Sequence, residues 1–231
     1  MTPDEPDRER RAMPDIGAAL AVVRARIRSA GGGDGVSSLP ETKSFGSEAI
    51  EAVRAAGGRA IGENYAQELL AKRSACRGLE VHFIGRLQSN KVRQLAGLVA
   101  VYESVDRARL ADEIARRDPG ASVMLQVDTS GEPGKGGCAI EDLDDLVRHV
   151  RRLPLLLVGL MTVGPTVGGP EAARAGFRTV RAAASQYGLE QCSMGMTADL
   201  EVAVEEGSTQ IRVGSALFGE RPVTDRTPRE G

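Results

Sequence analysis

Eight short β-prone runs, spaced at roughly 20–35 residues and separated by helix-like stretches, constrain this chain more than any other feature. The runs cover 36–43, 59–62, 79–84, 99–103, 122–127, 155–163, 190–194 and 210–214. Between them, 47–56, 64–73, 89–96, 107–117, 140–153, 171–187 and 198–206 have helical spacing of apolar residues. Eight repeats of strand then helix predict an α/β fold, a single (β/α)8 TIM barrel, rather than an open doubly wound sheet. Consecutive apolar residues such as Leu155-Leu156-Leu157-Val158 suit parallel strands covered on both faces. Ahead of the first run, Asp15 is placed to cap a helix carrying Ile16, Leu20, Val23 and Ile27, and Gly31-Gly32-Gly33 ends it. The chain of 231 residues accommodates one barrel and little else. The expected organisation is a disordered extension over 1–14, the barrel over 15–222 and a flexible tail over 223–231.

Composition narrows the function. Lys and Arg total 30 against 32 Asp and Glu, and Trp is absent, so neither the basic field nor the aromatic platform of a nucleic-acid binder is present. No apolar run approaches the ~20 residues of a membrane helix. Cys76, Cys138 and Cys192 are odd in number and far apart, with only His82 and His149 to join them, which suggests neither a disulfide framework nor a metal site. A cytoplasmic protein with no nucleic-acid or membrane partner is expected.

In such a barrel, function gathers at the C-terminal ends of the strands. Gln210–Gly214 runs into a Gly214-Ser215 turn that opens a short helix, a place where backbone N–H groups can receive a phosphate, and Ser193 at the end of strand seven could add a hydroxyl. Lys43 ends the first strand, where a partly desolvated amine can form a Schiff base with an aldehyde. Singly, these read as a turn and a surface lysine. Together they fit a ligand bearing both an aldehyde and a phosphate, of which pyridoxal 5'-phosphate is the common one. A barrel for a sugar or nucleotide phosphate, with Lys43 serving only as a charge, is the competing reading.

Thr42-Lys43-Ser44-Phe45, Gly62-Glu63-Asn64-Tyr65-Ala66-Gln67-Glu68, the run from His82 to Lys91, Gly159-Leu160-Met161, Ser193-Met194-Gly195-Met196 and Gly207 to Ser215 follow one another in order. Over nearly its whole length the chain resembles the YggS/PROSC (PLPBP) family of pyridoxal phosphate homeostasis proteins, related to the N-terminal barrel of alanine racemase. The resemblance implies a fold-type III barrel in which Lys43 holds the cofactor as an aldimine. It also implies that Ser193, Gly214 and Ser215 hold the phosphate, Arg212 faces the pyridine nitrogen and Asn64 lines the pocket. A guanidinium only donates, so the ring nitrogen would stay unprotonated and the cofactor would be a weak electron sink. The implied role is cofactor homeostasis and carriage by a monomer, with dependent apoenzymes or amino acids as further partners. The alternative is a racemase-like or biosynthetic amino-acid enzyme using Lys43 with a second base: Tyr65, Glu41 or His82. A racemase of this type draws its second base, a tyrosine, from another domain; of Tyr65, Tyr102 and Tyr187 here, only Tyr65 falls at a strand end.

Strand one departs from the family. Its relatives have an apolar run before the lysine and a proline soon after; this chain has Pro40-Glu41 before Lys43 and Gly46 after it. Period-two alternation puts Glu41 on the face of Lys43, one layer deeper in the barrel. A buried carboxylate needs a cation, Lys43 itself being a candidate, or else the strand is distorted around Pro40. Glu41 either tunes the lysine amine or is a structural ion-pair partner. Among the rest, His82 reads as a hydrogen-bonded barrel residue and Ser89 as a helix cap. Met161, Met194 and Met196 read as filling the barrel mouth, and Lys135, in a loop of four glycines, as solvated.

Overall fold

The computed structural model describes residues 13–219. The expected extension before 13, the last residues assigned to the barrel and the tail lie outside the described residues. Eight parallel strands form one sheet in the order β1-β8-β7-β6-β5-β4-β3-β2. They are β1 Ser37–Pro40, β2 Ala60–Glu63, β3 Glu80–Phe83, β4 Val101–Val105, β5 Ser122–Gln126, β6 Leu156–Met161, β7 Gln191–Ser193 and β8 Gln210–Val213. Each falls on one of the eight expected runs, and the barrel is the fold predicted.

The helices outside the strands are α1 Ile16–Ser29, α2 Ser47–Ala55, α3 Ala66–Lys72, α4 Val92–Leu95, α5 Ala108–Arg117, α6 Leu143–Val150, α7 Arg174–Gln186, α8 Leu200–Glu205 and α9 Ser215–Phe218. The α1 helix begins as expected: Asp15 Oδ1 accepts from the Ala18 amide at 3.0 Å, and Ile16, Leu20, Val23 and Ile27 are buried. Ser89 does not cap α4. It begins a 3-10 turn, Ser89–Lys91, whose preceding residue makes no side-chain cap.

Two layers of core follow from strand alternation. Ile61, Val81, Phe83, Tyr102, Val123, Leu125, Leu160 and Ile211 point outward into the main apolar cluster with the helices. Leu39, Ile84, Met124 and Met161 are also buried yet stand apart from that cluster, and a Cβ on Gly62 would meet Leu39 and Ile84 at 3.3 and 3.1 Å. These residues line the barrel interior. Met194 belongs to the outer cluster rather than the mouth, because Ser193 beside it takes the inward position.

Closure between β1 and β2 is thin. Ser37 and Glu41 amides donate to Thr209 and Val213 carbonyls on the β8 side, so alternate residues 38, 40 and 42 turn their amides toward β2. Pro40 has no N–H to give there. What remains is an isolated bridge of Glu41 with Gly62, in which the Thr42 amide donates to the Gly62 carbonyl at 3.0 Å. The distortion expected around Pro40 is this loss of pairing, and it also ends β1 three residues before Lys43.

Candidate functional site

Lys43 sits in the turn beyond β1, with its side chain 15% exposed. Its Nζ lies 2.9 Å from Glu41 Oε2, and Glu41 is buried. The strand face shared by the two residues is the one read from the sequence, and the cation Glu41 needs is Lys43. The next residue, Ser44, has φ of +66°, a left-handed conformation that costs a non-glycine residue of order 1–3 kcal/mol. The turn is held from α3. Glu68 Oε2 accepts from the Ser44 amide at 2.9 Å, and Lys72 Nζ donates to the Thr42 and Phe45 carbonyls at 3.0 and 3.1 Å.

Lys72 is itself buried and pairs with Glu63 Oε1 at 2.6 Å; the Thr42 hydroxyl donates to the same oxygen at 2.5 Å. Burial pushes the Glu63 carboxyl above the usual range, and the Lys72 charge and hydrogen bonds offset only part of that rise. Glu63 Oε2 is enclosed with no partner among the described residues. This cluster joins β1, β2 and α3 on the outer face of the barrel, opposite to Glu41 and Lys43.

A second polar network fills the interior. Arg212, 2% exposed, donates from Nη1 to the Ser193 carbonyl and hydroxyl and from Nη2 to the Thr162 carbonyl, each at 2.8 Å. Its Nε has no partner among the described residues and is not an enclosed orphan. Gln210 Nε2 donates to Ser193 Oγ at 3.1 Å and to Glu103 Oε1 at 2.6 Å, and His82 Nδ1 meets that carboxylate oxygen at 2.5 Å. Since a carboxylate only accepts, Nδ1 carries the hydrogen. Burial opposes ionisation of Glu103, but the His82 hydrogen bond and the charges of His82 and Arg212 outweigh it and hold the carboxyl below its usual range. His82 is thus the hydrogen-bonded barrel residue expected, and its partner comes from the neighbouring strand.

At the end of the last strand, β8 passes through Gly214 into Ser215 at the start of α9. The Thr197 hydroxyl accepts from the Ala216 amide at 3.4 Å, which sets it beside the Gly214-Ser215 turn. Arg26 of α1 fixes this loop, donating to the Thr197 carbonyl at 2.9 Å while paired with Glu201 at 2.7 Å. Gly195 lets β7 turn toward it: φ is +86°, and a Cβ would come within 2.4 Å of the Ala203 Cβ. Ser193 Oγ faces Arg212 and Gln210 rather than this turn. Asn64 ends β2 half-buried, its carbonyl so close to Gly85 that a Cβ there would lie 2.0 Å away. Tyr65, 43% exposed, caps the start of α3 without a side-chain bond.

Lys43, Asn64, Ser193, Gly214 and Ser215 therefore follow or end strands at one mouth of the barrel, and Arg212 is the next to last residue of β8. Sequence reasoning missed Glu103, Gln210, Thr162, Thr197 and Lys72, which position them. Period-two alternation along β4 and β8 is the one signal that could have placed Glu103 and Gln210 inside. Lys135 is not simply solvated: Nζ donates to the Gly164 carbonyl at 2.6 Å and pairs with Glu132 at 2.9 Å.

A family profile described as alanine racemase, N-terminal domain, matches residues 26–222. A pyridoxal phosphate homeostasis protein of Pseudomonas aeruginosa is 40% identical over 223 residues, covering 90% of this chain and 97% of the relative. One from Aquifex aeolicus is 38% identical, covering 89% and 96%. The solved structure of PipY from Synechococcus elongatus with PLP bound superposes with a TM-score of 0.80 at 30% identity, covering 88% of this chain and all of that one. An alanine racemase of Clostridium difficile shares the fold, with a TM-score of 0.69 at 12% identity over 58% of its own length.

Proposed function

Since the chain belongs to the family of pyridoxal phosphate homeostasis proteins, within the alanine racemase N-terminal domain group, we propose that it binds pyridoxal 5'-phosphate and acts in homeostasis and carriage of that cofactor. The observation that carries this reading is the convergence of three different donors at one barrel mouth: the Lys43 amine, the Arg212 guanidinium, and the Gly214-Ser215 turn.

The donor set fits the group. An aldehyde asks for an amine, a ring nitrogen asks for a donor, and a phosphate asks for amides and hydroxyls. When bound, pyridoxal phosphate would supply an electrophilic aldehyde, and Lys43 would be the residue that holds it. Arg212, held by Ser193 and Thr162, keeps a permanent donor for the ring nitrogen, so protonation of that nitrogen is disfavoured. Gly214 and Ser215, with the Thr197 hydroxyl beside them, hold the phosphate, while Ser193 is turned to Arg212 and Gln210, and Asn64 lines the wall. His82 and Glu103 stay in their mutual bond and hold Gln210.

Carriage is favoured over catalysis because two of the three residues weighed as second base, His82 and Glu41, are already engaged. His82 gives its Nδ1 to Glu103, Glu41 is the partner of Lys43, and Tyr65 makes no side-chain bond. In this reading the protein works in the cytoplasm as a monomer and exchanges cofactor with dependent apoenzymes. Among the described residues no helix is long and apolar enough to cross a membrane.

Borohydride reduction of the cofactor-loaded protein followed by peptide mapping should find a pyridoxyl group on Lys43, and Lys43→Ala should abolish it. Mapping of the group elsewhere, or nowhere, refutes the assignment. Incubation with amino acids in deuterated water should show no sustained exchange of the α-proton; steady turnover would replace carriage by the enzyme reading.

A further inference from the structure

Glu41 is a carboxylate inside a barrel whose other interior charges make their bonds to other groups. Arg212 on β8 spends both Nη groups on Ser193 and Thr162. His82 and Glu103 hold one another on β3 and β4. Lys72 and Glu63 pair on the opposite face of the β1–β2 seam, and Glu68 of α3 accepts from the Ser44 amide. Gly62, the inward residue of β2, brings no charge. Among the described residues the one cation within ion-pair distance of Glu41 is Lys43, at 2.9 Å. The carboxylate side chain is 5% exposed, so solvent screens the pair weakly. Its Oε2 also lies 3.6 Å from the Cβ position of Gly214, so Glu41 stands between the amine and the phosphate turn.

We infer that Glu41 is the resident counter-ion of the cofactor-binding nitrogen, a brake on loading and a latch once loaded. The inference rests on Lys43 being the attachment point, as proposed above. At this distance the carboxylate oxygen holds the nitrogen in a shielded ion pair. Attack on an aldehyde needs the nitrogen lone pair free, so the pair with Glu41 must first be broken, and loading slows. After the new C=N bond has formed and water has left, the nitrogen still has room for one proton. Glu41 then favours the protonated linkage over the neutral one.

Two readouts separate this inference from the proposed function. In the protein without cofactor, reductive methylation of Lys43 with formaldehyde and cyanoborohydride, followed by mass spectrometry at neutral pH, reports the free amine directly. Glu41→Gln and Glu41→Val should each accelerate it about tenfold or more, while Glu41→Asp, which keeps the charge, should stay slow. Two neutral variants are used so that one poorly folded protein, seen by circular dichroism, does not decide the outcome. In the cofactor-loaded protein, absorbance against pH should show the linkage losing its proton about one to three pH units lower in Glu41→Gln than in the wild type. Unchanged methylation rates and an unchanged midpoint overturn the counter-ion. Accelerated methylation without any cofactor adduct on Lys43 overturns the proposed function and leaves the counter-ion standing.

Discussion

At the scale of single residues, Lys72 does the most with the least exposure: one ammonium meets the Glu63 carboxylate and two carbonyls of the turn that carries Lys43. Removing one partner of a buried pair leaves the other charge without compensation, a loss of about 3–5 kcal/mol. Lys72→Met should therefore lower stability by that order in urea unfolding, and adding Glu63→Gln should recover part of it. A loss below about 1 kcal/mol would show that the pair carries no such weight. Nothing in the sequence around Lys72 distinguishes it from a surface lysine of α3, because its acceptors come from two other elements. Glu103 was hidden for the same reason. Its partners His82 and Gln210 stand 21 and 107 residues away along the chain. Glu41 and Lys43, by contrast, were legible as a pair, since residues two apart on a strand share a face whatever the rest of the fold does.

Secondary-structure elements followed their local patterns closely, and the differences lie where elements meet. The eight strands were visible because each run is apolar or β-branched and bounded by polar or glycine-rich turns. The β4 strand extends to Val105, beyond the expected 103, because tertiary pairing with β5 resumes at Val105↔Leu125 after a register shift. The glycine-rich segment 131–137 is another such meeting point, anchored to the loop after β6. Glu132 accepts from the Thr166 amide and hydroxyl and pairs with Lys135. The Thr166 hydroxyl bond comes first, then the one from Lys135, then the Thr166 amide, and together they hold the Glu132 carboxyl down at about 2 against an ordinary 4.5. A depressed carboxyl stabilises the folded arrangement fully above the ordinary value and loses that effect as pH falls through the depressed one. The anchor should thus persist through pH 4 and release only near pH 2, read as a shift of the Thr166 amide signal in a nuclear magnetic resonance titration. A midpoint in the ordinary carboxylate range would mean that the anchor does not form.

For the molecule as a whole, the seam between β1 and β2 is where the closed sheet is weakest in backbone bonding. Proline at position 40 withdraws an amide from that side, and the Glu41–Gly62 bridge, the Thr42 amide and the Glu63–Lys72 cluster are what join the two strands. Native-state hydrogen exchange should find the Thr42 amide less protected than the Val127 amide, which donates to Met161 at the end of the five-pair β5–β6 ladder, by about tenfold or more. Equal protection would show that side chains close the seam as firmly as a full ladder. The barrel itself was readable from alternation alone, but the position of its weak seam depended on which neighbour each amide of β1 faces, and only the three-dimensional pairing settles that. The seam also divides the proposed site residues unequally. The β1 strand is laddered to β8 from Ser37 to Pro40, so the turn bearing Lys43 and the turn of Gly214 and Ser215 ride on one continuous strip of sheet, on the same bank of the gap. Opening along that line would leave the Lys43 turn and the Gly214-Ser215 turn at their spacing, and the opposite wall, led by Gly62 and Asn64, would be the part that moves. A grip arranged like this opens a side door without stretching what it holds.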